Sequence, residues 1–217
     1  MNHDYHFFAE FWDAFSKDKI PDELLLESNY DMADGSNGFI LPYYDSPMRS
    51  EPASNVLFTE VLSMATDYVW FYTPYLMLGD ALFDAFIRAA QRGVDVRIIM
   101  PGIPDKKMVY RLSRSYYEDL LKAGVKIYEY TPGFVHAKGF IMDDKICGIG
   151  TVNLDYRSLF LYFECSSIFY KADIINDLKA DYLESQSVSR ERFADDIKRG
   201  IFHRLLDSVL RVAAPLL

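Results

Sequence analysis

The residues between His136 and Asn153 carry the side chains that phosphodiester chemistry requires. An imidazole can attack phosphorus and hold a covalent phosphoryl-type intermediate, which divides one hard displacement into two easier ones. The ammonium of Lys138, the hydroxyl of Thr151 and the amide of Asn153 can stabilise charge on the non-bridging oxygens. On a strand, positions i and i+2 share a face, so His136 and Lys138 are expected to project together. Thr151 and Asn153 repeat that spacing just after the next strand. The glycines before them, Gly148 and Gly150, would let an anion approach the backbone closely. His3, His6 and His203 have no lysine two residues on and are expected at the surface or termini. No Cys/His/carboxylate cluster stands at ligand spacing, so neither a metal nor a cofactor is expected.

Two carboxylates accompany this set. Glu164 lies inside the apolar run Leu159 to Cys165, where an unpartnered carboxylate would be costly. We expect it to hydrogen-bond the His136 ring, fixing its tautomer and supporting imidazolium character. An edge-strand charge is the alternative reading. Asp143 should face away from His136, which suits it to holding a turn or bonding backbone amides.

The elements that must position these groups read as follows. Residues 7–16 and 54–66 have helical spacing, the second opening on a Ser54-Asn55 cap signal with Val56, Leu57, Val61, Leu62 and Ala65 apolar. Asn29 to Arg49 is loop-rich around a short strand at Phe39 to Leu41. Tyr68 to Thr73 is a strand stopped by Pro74, and a helix capped by Asp80 runs to Arg92. Val94 to Met100 is a strand, a helix spans about 105–123, and Val125 to Tyr130 is another strand. That alternation argues for parallel pairing. Residues 135–142 and 145–150 read as strands joined at Asp143-Asp144, residues 162–170 as a further strand, and 172–186 and 193–213 as helices. The last is amphipathic with a basic excess, which fits a core or dimer helix or one lying on a membrane surface.

A chain of 217 residues with 50% hydrophobic residues can bury roughly 70% of its extended surface in one domain. The net charge of −9 argues against indiscriminate nucleic-acid binding. Residues 88–114 are nonetheless basic, with Arg88, Arg92, Arg97, Lys106, Lys107, Arg111 and Arg114 against Asp95 and Asp105. Of these, Lys106, Lys107, Arg111 and Arg114 could guide an anionic ligand. Cys147 and Cys165 sit in strand-like runs and read as free thiols of a reducing compartment. No secretory leader pattern is visible, and the apolar run Tyr68 to Gly79 is too short to span a bilayer, which needs about 20 residues.

The pattern His136-x-Lys138-x4-Asp143-x6-Gly150-Thr151-x-Asn153 resembles the signature of the phospholipase D superfamily, with Thr where many members have Ser. The run Asn153-Leu-Asp-Tyr-Arg-Ser-Leu-Phe-Leu-Tyr-Phe-Glu164 is similar to bacterial cardiolipin synthases more narrowly. So are Tyr128-Glu-Tyr-Thr-Pro-Gly-Phe-Val-His-Ala-Lys138, Thr73-Pro-Tyr75, Ser113-Arg-Ser-Tyr-Tyr117 and Ala214-Pro-Leu-Leu217. The resemblance implies a single α/β/α sandwich of half-domain type over 1–217, with a mixed, mostly parallel sheet and helices on both faces. It places His136, Lys138, Asp143 and Glu164 in the catalytic set and Lys138, Thr151 and Asn153 on the substrate phosphate.

The activity implied is phosphatidyl transfer between phosphatidylglycerol molecules through a phosphohistidine-type intermediate, with glycerol released. His136 would be nucleophile or general acid. Such enzymes carry N-terminal membrane segments and two His-x-Lys halves that meet at one site, and this sequence resembles the C-terminal half. The implied partners are an anionic phospholipid, the inner face of the cell membrane as a peripheral contact from the cytoplasm, and a homodimer mate or an N-terminal half. A homodimeric phosphodiesterase or nuclease of the same superfamily, or an inactive half, are the alternatives.

Overall fold

The computed structural model describes residues 3–18, 20, 38–197, 207, 210 and 211. The first half comprises α1 (His3–Phe15), β1 (Phe39–Asp45), α2 (Ala53–Met64), β2 (Tyr68–Tyr72), α3 (Asp80–Gln91) and β3 (Asp95–Pro101). Then come α4 (Lys107–Ser115), α5 (Tyr117–Ala123), β4 (Lys126–Tyr130), β5 (Gly139–Met142) and β6 (Ile146–Gly150). The chain continues with α6 (Tyr156–Phe160), β7 (Glu164–Tyr170), α7 (Ile174–Ser187), β8 (Ser189–Arg192) and a 3-10 turn at Ala194–Ile197.

The strands form one sheet in the order β1-β7-β6-β5-β2-β3-β4-β8. Its centre is β2, in which all five residues are buried. Val69 and Phe71 pack on one face with Phe58, Leu82, Phe86, Ile98 and Phe140, beneath α2 to α5. Tyr68, Trp70 and Tyr72 pack on the other with Ile99, Ile141 and Tyr182, beneath α7. The tyrosines and tryptophan of that second layer stack, Trp70 lying 5.1 Å from Tyr182. Helices therefore cover both faces, as the sandwich expectation required.

The balance of pairings differs from the expectation. Only β2–β3 and β3–β4 are parallel, and the other five pairings among the described residues are antiparallel. Connection length explains this. Helix α3 and the α4–α5 pair provide crossovers that return the chain in the same direction, whereas β5 and β6 are joined by a tight turn and β7 returns beside β6 after the 151–163 segment that holds α6.

Several local readings are corrected as well. Strand β1 runs to Asp45 and passes through Pro42, which is tolerated because β1 is an edge strand. Helix α2 is not capped by Ser54 or Asn55. The Asp45 carboxylate reaches over from β1 and accepts the Ser54 backbone N–H at 3.1 and 3.2 Å. Its buried face is Ser54, Phe58, Val61 and Leu62, and Val56 is exposed. The single helix expected over 105–123 is divided at Tyr116 into α4 and α5, ending at Gly124 with φ +103°. Most of the expected helix 193–213 and the loop up to residue 37 lie outside the described residues. Asp207, Leu210 and Arg211 are helical, and Arg211 bonds the Ser115 carbonyl and Asp119.

The β5–β6 link is a tight turn with Asp143 and Asp144 at φ 51° and 55°, the backbone that two-residue hairpins favour. The Asp143 carboxylate accepts the backbone N–H groups of Thr66, Asp67 and Tyr68 at 2.8–2.9 Å, and the Thr66 hydroxyl at 2.9 Å. Burial opposes its ionisation, but those amides outweigh burial and hold its pKa below the usual carboxylate value. A folded-state pKa below the unfolded one contributes stability above the unfolded value, lost as pH falls through the folded one. Asp143→Ala should therefore destabilise the fold by about 2–4 kcal/mol in urea melts at pH 7, with the difference shrinking below about pH 4. An unchanged melting midpoint at pH 7 would remove this clamp from the account.

Candidate active site

His136 and Lys138 are not on a strand. They lie in the extended segment entering β5, which begins at Gly139. The side chains meet nonetheless. The Lys138 ammonium lies 2.7 Å from His136 Nδ1 and 3.1 Å from Nε2, and donates to the His136 carbonyl at 2.7 Å. The ring is flanked by Phe134 at 5.9 Å and by Tyr75, edge-on at 6.4 Å.

Desolvation and the neighbouring Lys138 charge hold the His136 pKa below the ordinary imidazole value, with Asp105 opposing them. Burial also lowers Lys138, against the pull of the Glu164 and Asp155 carboxylates. A neutral imidazole beside an ammonium is a nucleophile next to an anion-binding charge.

Thr151 follows directly on β6 and is joined to β7 at both ends. Its backbone N–H donates to the Cys165 carbonyl at 3.0 Å, and its hydroxyl donates to Glu164. Glu164, only 7% exposed, also accepts the Ser158 hydroxyl. The carboxylate is thus turned onto Thr151 and Ser158 rather than onto the His136 ring, which corrects the expected His–Glu bond. Burial raises its pKa, and the two hydroxyls partly offset that.

The glycine reading also changes. A Cβ on Gly148 would meet the Phe140 ring at 2.3 Å, and one on Gly150 would meet Ser166 Oγ at 1.9 Å. Side chains of the protein, not an anion, occupy the space these glycines leave.

Asn153 is held by a clamp between two segments. Thr73 at the end of β2 accepts the Leu154 N–H at 3.0 Å, Met77 N–H donates to the Leu154 carbonyl at 2.8 Å, and the Asn153 N–H donates to Ser158 at 2.8 Å. The Asn153 side chain donates to Asp155, whose pKa burial raises. Its Oδ1 is buried with no hydrogen-bond partner. The amide nitrogen keeps a second N–H beyond the one given to Asp155, while Oδ1 is withdrawn from solvent.

That loop forms one wall of a cleft of about 110 Å³, lined by Tyr75, Lys106, Asn153, Asp155, Arg157 and Tyr162, with Met77 and Val109 as its apolar part. Of the basic residues expected to guide an anion, Lys106 alone reaches this cleft. Arg111 and Arg114 form ion pairs with Asp207 and Glu129. Tyr75, Asp155, Arg157 and Tyr162 were not singled out from the sequence as site residues. Asp155 had a signal: its carboxylate caps α6 by accepting the Ser158 N–H at 3.0 Å, an Asp-x-x-Ser start.

Asp143 stands at the far end of β5 from His136, with its oxygens committed to the 66–68 backbone. Burial pushes the Cys147 thiol up to about 11, which leaves it inert. Among the described residues no group of three or more His, Cys, Asp or Glu converges as a metal site, and no helix is long and apolar enough to cross a membrane.

Residues 58–185 match the family described as cardiolipin synthase, phospholipase D-like domain. An uncharacterized protein of Streptococcus mutans is 44% identical over 97% of this chain and 45% of its own length. A cardiolipin synthase of Alkalihalophilus pseudofirmus is 36% identical over 97% of this chain and 42% of its own, and cardiolipin synthase 2 of Bacillus anthracis 41% over 74% and 32%. The chain thus spans less than half the length of these curated relatives. Among solved structures, phosphatidylserine synthase of Haemophilus influenzae shares the fold at TM-score 0.66 and 15% identity, over 82% of this chain and 48% of that one. The phospholipase D family member Nuc of Salmonella typhimurium does so at 0.61 and 16%, over 71% of this chain and 98% of that one. A mixed sheet whose β5 is entered by the segment bearing the His136–Lys138 pair, with this match over more than half the sequence, places the chain in the cardiolipin synthase family of phospholipase D-like domains.

Proposed function

We propose that residues 1–217 form one phospholipase D-like domain acting as the C-terminal half of a cardiolipin synthase-type phosphatidyltransferase. The observation that carries this reading is the His136 ring in contact with the Lys138 amine, with Tyr75 joining the ring to a cleft lined by Lys106 and Arg157. The substrate would be phosphatidylglycerol, met at the inner surface of the cell membrane by a peripheral contact.

In the first step a His136 ring nitrogen attacks the phosphorus. An N–P bond forms, the P–O bond to glycerol breaks, and glycerol leaves with a proton from a general acid. In the second, a hydroxyl of another phosphatidylglycerol attacks, the N–P bond breaks, and the hydroxyl proton returns to the same acid–base group. Lys138 and Thr151 would steady the phosphoryl oxygens, with Lys138 released from the imidazole as phosphate arrives. Glu164 would position Thr151 and keep Lys138 charged, and Asp143 would act through the fold. The general acid would be the histidine of a second His-x-Lys half, from a homodimer mate or an N-terminal half.

A homodimeric phosphodiesterase is the second reading. It is favoured by the existence of a family member, Nuc, that this domain covers over 98% of its length. Incubation with phosphatidylglycerol vesicles or with a soluble phosphodiester separates the two readings.

On vesicles, with the second half present, His136→Ala should abolish glycerol release, by at least about a thousand-fold for a lost nucleophile. Retained release would overturn the reading. Because the His136 pKa is lowered, the free base persists to lower pH, and the acid limb of the rate profile should fall below the usual value of about 6.5.

Glu164→Gln tests the revised role of that carboxylate. Removing a charge that holds the Lys138 pKa up should move the alkaline limb to lower pH. A shift of the acid limb alone would restore the direct His136 partnership.

A further inference from the structure

We propose that Tyr75 and Asp105 are positioning residues for His136: the Tyr75 ring forms a wall of the imidazole, and the Tyr75 hydroxyl tethers the Asp105 carboxylate where its charge acts on that ring. This rests on the reading of His136 as the nucleophile and adds the carboxylate influence that Glu164 does not supply.

The placement starts at the end of β2. The Thr73 hydroxyl donates to the Tyr75 carbonyl at 2.7 Å while accepting the Leu154 N–H, and the Leu76 N–H donates to the Ser113 hydroxyl at 3.1 Å. The backbone is therefore held on both sides of Tyr75, between buried Pro74 and buried Leu76. From there the ring stands edge-on to His136, with centroids 6.4 Å apart and planes at 78°, an arrangement that aromatic rings favour. Phe134 supplies a second ring neighbour at 5.9 Å.

The hydroxyl end of Tyr75 reaches the loop between β3 and α4. It donates to Asp105 Oδ2 at 2.5 Å, and Asp105 Oδ1 accepts the Lys106 backbone N–H at 2.5 Å. Burial and the bond to Asp105 raise the phenol above its ordinary value, so it remains a donor at neutral pH. A hydrogen bond to an ionised acceptor is roughly twice as strong as a neutral one. Asp105 is exposed, so without this bond its side chain would turn to water.

Few charges face the imidazole. Lys138, on its own segment, touches both ring nitrogens and opposes protonation. Asp105, on the β3–α4 loop, favours it, and Tyr75, on the segment after β2, is neutral. Glu164 and Asp155 act on Lys138. Attack on phosphorus leaves the imidazole positively charged beside an ammonium, and a fixed carboxylate offsets that charge. Both groups reach water, which keeps the effect modest.

The first test needs no turnover. Proton NMR of the full chain follows the His136 ring through pH, its resonance assigned by its loss in His136→Ala. Asp105→Asn keeps an acceptor for Tyr75 but removes the charge, and should lower the His136 pKa by about 0.5 pH unit. Asp105→Glu should restore most of that change. Tyr75→Phe keeps the ring and frees the carboxylate, and should lower the pKa about half as far. The double variant Tyr75→Phe/Asp105→Asn should match Asp105→Asn alone, because the hydroxyl acts through the carboxylate. Thermal melting checks that each variant is folded. In the complete assembly on phosphatidylglycerol vesicles, Asp105→Asn should move the acid limb down by the same amount and lower kcat about five-fold.

A His136 titration unmoved by Asp105→Asn in a folded protein would overturn the proposal, whatever the activity. Additive shifts in the double variant would also overturn it, by reducing Tyr75 to a wall with no tie to Asp105. A titration that moves as expected while the complete assembly cleaves no phosphatidylglycerol would support the positioning pair and overturn the phosphatidyltransferase reading instead.

Discussion

The Asp143 carboxylate is the contact on which the rest of the arrangement depends. It receives three consecutive backbone N–H groups at the entrance to β2, from a turn whose own backbone is already constrained to positive φ. One carboxylate thereby locks the β5–β6 hairpin against the first residue of the central strand. The consequence is register: Val69 faces Met142 at the clamped end, and Tyr72 faces Gly139 at the other. A slip of one residue would turn every side chain of β5 to the opposite face. At about 3.4 Å per residue, the four paired residues carry the constraint roughly 14 Å, from Asp143 to the segment bearing His136 and Lys138. The fourth member of the signature thus acts at a distance from the first two, by deciding where they emerge.

The other end of β2 completes the placement. Thr73 and the segment to Met77 clamp Leu154, which fixes the Asn153 to Ser158 loop beneath the cleft. Two carboxylates, Glu164 and Asp155, are buried there, and burial raises both. Three of the groups that offset that cost are hydroxyls or amides of the same loop: Ser158 and Thr151 for Glu164, and Asn153 for Asp155. The pair supplies negative potential under Lys138 and so works against the loss of charge that burial would impose on the ammonium. The imidazole, exposed beside that ammonium, is lowered as well, by desolvation and by the Lys138 charge. The acidic loop therefore acts on Lys138, and Lys138 in turn on His136.

Much of this was legible in the sequence, and the parts that were not share a cause. The βαβαβ block, the Asp143-Asp144 turn and the Gly124 stop follow from local chemistry: alternation, turn residues and a left-handed cap. The meeting of the His136 and Lys138 side chains is legible from their spacing, although the segment they lie on is extended rather than a strand. What failed were inferences about who touches whom across the fold. A buried carboxylate needs a partner, and sequence distance does not reveal that Ser158 and Thr151, rather than His136, supply it for Glu164. Gly148 and Gly150 suggest space for a ligand when only the sequence is in view, whereas Phe140 and Ser166 on neighbouring strands fill it. Arg111 and Arg114 carried the right charge, yet Asp207 and Glu129 already engage them. The Asp45 cap on α2 comes from another element and leaves no mark at the helix start.

The separation of the 153–162 loop from the segment that carries His136 bears on how a domain of this kind would distinguish transfer from hydrolysis. A water molecule needs no binding site beyond access to phosphorus, so hydrolysis competes wherever the nucleophile's adduct is exposed. Transfer prevails only if an accepting hydroxyl is held nearby at high effective concentration, which requires recognition of the group that bears it. The charged residues lining the cleft lie on the 153–162 loop and at Lys106, whereas His136 is placed by the extended segment that enters β5. Changes confined to that loop would therefore alter the cleft and leave the β2–β5 register, and with it the position of His136, untouched.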